Sequence, residues 1–145
     1  MERGVAAGYP MTDIRVTLVD GKAHSVDSSD MAFPLAGALA LKEAAKTARV
    51  HLLEPVDEVS VLIPDAYVGA VMSDLSTHRG RVSGTEPMGS GRTLIKAEVP
   101  RIELSRYAIG LRSLSHGAGA FSHTYLRHEP MPSHLATTIH QDAAE

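Results

Sequence analysis

Cysteine is absent from the 145 residues, which excludes disulfides, thiolate nucleophiles, cysteine zinc fingers and iron–sulfur clusters. Tryptophan is also absent and aromatics make up 4%, so any core must be aliphatic. No apolar run reaches the roughly 20 residues that cross a bilayer. No basic start followed by an apolar stretch reads as a secretory signal. A soluble cytoplasmic protein without a membrane partner is the expectation. The net charge of −3 argues against indiscriminate binding to phosphate backbones.

The chain does contain 43% hydrophobic residues, enough for one medium domain or two small ones. In "TDIRVTLV", Ile14, Val16 and Leu18 alternate with polar residues, predicting a half-buried strand. Asp20-Gly21 is a type I′ turn signal. A loop follows, in which Ser28 or Ser29 is placed to cap a helix beginning near Pro34 and running to Arg49. From residue 53 the pattern repeats in mixed periods. Val59, Val61 and Ile63 alternate as a strand stopped by Pro64. A helix is predicted over 65–79, capped by Asp65, striped by Val68, Val71, Met72 and Leu75, and ended by Gly80. Residues 81–100 read as two strands around a Gly- and Pro-rich turn. A second helix, 101–116, carries Leu104, Ala108, Leu111 and Leu114 or Ser115 on one side, and a last strand follows. The order β-α-β-β-α-β predicts an α+β, ferredoxin-like domain: a four-stranded antiparallel sheet with both helices on one face. Residues 1–52 offer too little to close a core, and the polar residues 136–145 read as a flexible tail.

The chemical candidates are few. No phosphate loop G-x-x-x-x-G-K-[ST] is present, and "GAGAF" precedes a strand, so it reads as a helix C-cap and turn. Eight histidines form no H-E-x-x-H, and His116, His123 and His128 read as surface or partly packed side chains with no metal role. His24, Ser25 and Asp27 are neighbours on one loop, whereas a catalytic triad draws on separate elements. An acylphosphatase-type reaction uses an asparagine to position water, and the chain has none. Arg79, Arg81 and Arg92 cluster near the hairpin, and Arg101 and Arg112 are eleven residues apart. Each is suited to phosphate oxygens or to an ordinary solvated face.

The stretches "GYPMTDIRVTLVDGKAHSVDSSDMAFPLAGALALKEAAKTA", "LLEPVDEVSVLIPDAYVGAVMSDLSTHRGRVSGTEPMGSG" and "RYAIGLRSLSHGAGAFSHTYLRHEPMP" resemble the C-terminal part of bacterial elongation factor G, the translocation GTPase, or of a paralogue. The blocks "DSSDMAF", "LLEP" and "LRSLSHG" occur in that order and at that spacing, and the resemblance covers residues 3 to about 135. It implies that residues 1–52 are the C-terminal half of domain IV, a partial ribosomal-protein-S5-domain-2-like α/β segment. It implies that 53–135 are domain V, ferredoxin-like. The tip of domain IV would enter the decoding region, where His24 would touch the tRNA–mRNA backbone. Ser25, Asp27, Ser28 and Ser29 would share or support that contact, and Arg79, Arg81 and Arg92 would meet rRNA of the large subunit. Partners implied are the ribosome and the remaining domains of a parent factor. The resemblance also implies that no cofactor belongs to this fragment, that GTP and Mg would belong to the parent, and that the fragment by itself would not be an enzyme. Met1 would begin a fragment or a truncated reading frame. The alternative from the residues alone is a stand-alone ferredoxin-like protein-interaction or regulatory module.

Overall fold

The computed structural model describes residues 4–5 and 8–142, and these fall into two compact units, one of the residues up to 52 together with those from 131 onward, the other of 53–130.

The second unit holds the core. Strand β1 (Leu53–Pro64) lies between β3 (Arg92–Pro100) and β4 (Ala120–Pro130), and β2 (Arg81–Gly89) borders β3, giving the antiparallel order β2-β3-β1-β4. Val59, Val61 and Ile63 are fully buried on one face of β1. Val59 and Val61 pair with Ala97 and Ile95, also fully buried. Residues opposite one another in a ladder share a face, so this is one apolar surface. Helix α2 (Val68–Thr77), entered through a 3-10 turn at Asp65–Tyr67, presses Val71 and Leu75 onto it. Helix α3 (Tyr107–Leu114), entered through a 3-10 turn at Arg101–Arg106, adds Leu104, Tyr107 and Leu111 to the same cluster. Both helices therefore cover one face, as the order of periods predicted. Each fully buried aliphatic side chain contributes about 1.5–3 kcal/mol.

Several local expectations are corrected. Asp65 caps nothing; its carboxylate accepts the Thr93 hydroxyl at 2.8 Å. Along the second helix the inward side is Leu104, Tyr107, Leu111 and Ser115, while Ala108 is exposed, because the 3-10 entry shifts the stripe by one residue. Helix α2 ends as predicted, but the left-handed residue is Arg79 (φ 56°), not Gly80. Gly80 N–H donates to Leu75 O at 2.7 Å, and a Cβ at Gly80 would lie 2.6 Å from that oxygen. Glycine is thus required by close approach. Ser90 and Gly91, the two-residue loop between β2 and β3, both have positive φ, as a type I′ turn demands.

The first unit contains helix α1 (Ala32–Thr47), with Pro34 in its first turn, and helix α4 (Ser133–Asp142). Residues 133–142 are helical where polar composition suggested a frayed tail; Pro132 O receives the Leu135 and Ala136 N–H groups and starts the turn. The expected strand at 12–19 pairs with nothing among the described residues, and Ile14, Val16, Leu18 and Val19 are exposed. Without paired strands the Asp20-Gly21 signal makes no type I′ turn: neither residue has positive φ, and the Asp20 carboxylate accepts the Gly21 N–H at 2.7 Å. Helix α1 buries no residue, and Phe33, Leu35 and Leu39 are more than half exposed.

Candidate functional site

Two places in the chain concentrate polar chemistry, one in each unit.

In the first unit the loop before α1 is organised around His24. The His24 N–H donates to Ser28 Oγ at 2.6 Å, and the Ser28 N–H donates back to His24 O at 3.0 Å. This reciprocal pair closes residues 25–27 into a turn. Ser29 Oγ accepts the Ala32 N–H at 3.1 Å, so Ser29, not Ser28, satisfies the first turn of α1. His24 Nδ1 lies 3.3 Å from Asp27 Oδ2, with both side chains largely exposed. Ser25 is exposed at the start of this turn and faces solvent. The "HSVDSS" block thus divides its labour. Ser28 fixes the histidine's backbone, Asp27 flanks its ring, and Ser29 starts the helix. No group of three His, Asp or Glu side chains able to hold a metal occurs among the described residues.

In the second unit the three arginines singled out in the sequence are drawn into internal bonds. Arg79 donates to Glu54 at 2.7 and 2.9 Å and through Nε to Glu103 at 2.9 Å. Glu54 is nearly buried. All three guanidinium nitrogens of Arg79 are thus engaged within the unit, which ties it to the strand and the second 3-10 turn. Its left-handed backbone at the end of α2 turns the guanidinium inward, which no sequence motif announces. Arg81 reaches Glu129 at 2.7 Å and is still largely exposed. Arg92 donates to Ala118 O at 2.6 Å. Arg127 bridges Glu98 and Glu129, and the arginines beside them hold both carboxyls below the usual carboxylate range.

Sequence reasoning missed the centre of this unit, Asp57. Its side chain is fully buried on β1, yet it accepts from Arg101 Nε and Nη2 at 2.8–3.1 Å and meets His123 Nδ1 at 2.7 Å. The Arg101 hydrogen bonds outweigh burial and hold Asp57 below the ordinary aspartate range, with His123 assisting. The only signal in the sequence was a charged residue where the β1 alternation calls for an apolar one. Arg101 sits over the Tyr125 ring at 5.7 Å, and Tyr125 Oη lies 2.7 Å from His128 Nδ1.

Two family models match the chain, meeting near residue 50. Residues 51–139 match the family described as "Elongation factor G C-terminus", and residues 1–49 match "Elongation factor G, domain IV". An "Elongation factor G-like protein" of Mycobacterium tuberculosis is 65% identical over 139 residues. "Elongation factor G" of Aquifex pyrophilus is 48% identical over the same length. Each match covers 96% of this chain, which spans only 20% of either relative. The crystal structure of a Thermus thermophilus protein superposes with a TM-score of 0.82 at 40% identity, covering 99% of this chain and 22% of that one.

Proposed function

The chain belongs to the elongation factor G family of translation factors, and from that premise we propose that it is a ribosome-binding portion of a translational GTPase. The His24 loop would meet the tRNA–mRNA backbone in the decoding region, and the second unit would meet the large subunit. The observation that carries this reading is the loop itself. An exposed imidazole is held at a turn by two bonds to Ser28, one from the His24 N–H to the hydroxyl and one from the Ser28 N–H to the His24 carbonyl, while its side chain makes no buried contact. Such a group suits a hydrogen bond to a phosphate or 2′-hydroxyl. It does not suit general base catalysis, where a buried carboxylate would orient it. Ser25 and Asp27 flank the contact, and Ser28 and Ser29 shape it. Of the three arginines near the hairpin, Arg79, Arg81 and Arg92, Arg81 is the exposed one and the first candidate for an rRNA phosphate. GTP and Mg would be handled elsewhere in a longer parent, since the residues here contain no phosphate loop. The resulting activity would be movement of tRNA and mRNA, in the cytoplasm.

Sedimentation of the 145-residue chain with ribosomes tests the reading. Salt-sensitive association is expected, weakened by His24→Ala on the small subunit. In an intact parent, His24→Ala should slow tRNA–mRNA movement and spare GTP hydrolysis. Loss of one such hydrogen bond costs about 1–3 kcal/mol. Equal ribosome association by the His24→Ala chain, or a parallel fall in GTP hydrolysis, would sink the assignment.

A further inference from the structure

The Asp57 cluster has no part in the His24 contact, yet it is built around a buried charge. Asp57 is fully buried, and an ionised carboxylate only accepts hydrogen bonds. His123 Nδ1 at 2.7 Å must therefore be the donor, which leaves Nε2 as the ring's second polar atom. The same carboxylate takes Nε and Nη2 of Arg101 and leaves Nη1 without a hydrogen bond among the described residues. The His123 and Arg101 side chains are 44% and 48% exposed, so one buried acid orients two groups that solvent can reach. Tyr125 follows on β4, 49% exposed, with Arg101 over its ring. Strand β4 is an edge of the sheet, so one row of its backbone groups has no strand partner in this unit.

We infer that Arg101, His123 and Tyr125 form a contact site for an RNA backbone on the β4 edge, oriented by Asp57. Each member has a role that RNA supplies. Arg101 Nη1 donates to a phosphate oxygen. His123, donating at Nδ1 to Asp57, accepts at Nε2 from a 2′-hydroxyl, the group that distinguishes RNA from DNA. The half-exposed Tyr125 ring, with Arg101 over it, takes an unstacked base. The site rests on the ribosome-binding reading and deepens it, because Asp57 holds Arg101 and His123 while Arg101 Nη1 and His123 Nε2 have no hydrogen bond among the described residues.

Binding of the full 145-residue chain to isolated large ribosomal subunits is the test. Tyr125→Ala, with folding checked by circular dichroism, is expected to weaken binding about tenfold, the scale of one lost base stack. Tyr125→Phe keeps the ring and is expected to bind as the unaltered chain does. Arg101→Gln, with folding checked by circular dichroism, should lower the slope of log affinity against log salt by about one. Imidazole 15N shifts should report His123 protonated at Nδ1. Large-subunit binding unchanged in both Tyr125→Ala and Arg101→Gln overturns this site alone, as does a His123 protonated only at Nε2. Failure of the unaltered chain to bind either subunit overturns the ribosome reading, and the site with it.

Discussion

Arg79 and Glu54, 25 residues apart, are joined by two parallel hydrogen bonds of 2.7 and 2.9 Å between guanidinium and carboxylate. Glu54 is nearly buried at the start of β1, and Arg79 is the left-handed residue that ends α2. The pair ties a strand to the end of a helix. Removing one partner strands the other's charge. Arg79→Gln is expected to cost about 2 kcal/mol, below the figure for a fully buried pair because the guanidinium is partly exposed. It should leave ribosome association unchanged in proportion to folded protein. Urea unfolding combined with sedimentation checks both halves, and weaker binding without lost stability would restore Arg79 to the RNA-contacting set.

Acid should destabilise the second unit in a defined direction. Arg101 lowers the Asp57 carboxyl, and Arg127 lowers those of Glu98 and Glu129. A carboxyl with a depressed folded-state value stabilises fully above its unfolded value. That stability is lost as pH falls through the folded value. The melting temperature should thus be steady above about pH 5 and fall progressively below about pH 4. Asp57→Asn should flatten part of that fall, and an unchanged acid limb in this variant would argue against Asp57 as a contributor.

Packing separates the two units energetically. Leu75 is fully buried in the core of the second unit, whereas Leu39 on α1 is 59% exposed. Leu75→Ala should cost about 3 kcal/mol through lost burial and a residual cavity. Leu39→Ala should stay within about 0.5 kcal/mol. Amide exchange should show stronger protection over 53–130 than over 8–52. Equal protection would mean that the first unit has packing its exposed apolar side chains do not reveal.

The serines of the loop should be separable. Ser29→Ala removes the acceptor for the Ala32 N–H and should lower helicity at the start of α1, at a cost of about 1 kcal/mol. Ser28→Ala removes the acceptor for the His24 N–H and should broaden the loop resonances while leaving the helix intact. Ser28→Thr keeps the hydroxyl and should behave as the unaltered chain. Identical spectra for both alanine variants would show that the two hydroxyls do not divide the work.

Much of the second unit could be read from the chain alone. The alternation of Val59, Val61 and Ile63 and the helical spacing of Val71 and Leu75 depend only on the periods of strand and helix, which are local geometry. Turn chemistry was partly legible for the same reason. Ser90-Gly91 takes the positive φ values a tight hairpin needs, while Asp20-Gly21, with no strands to join, does not. The candidate loop was found from its residues, but which serine holds His24 and which starts α1 was decided by the folded backbone. The charged sites lay beyond the sequence for a physical reason. Arg79 and Glu54 are 25 residues apart, and Asp57 and His123 are 66 apart. Within residues 53–130 the local periods determine which segments become strands and helices. Only the sheet order and register decide which guanidinium meets which carboxylate, and hence which charges remain available for a partner.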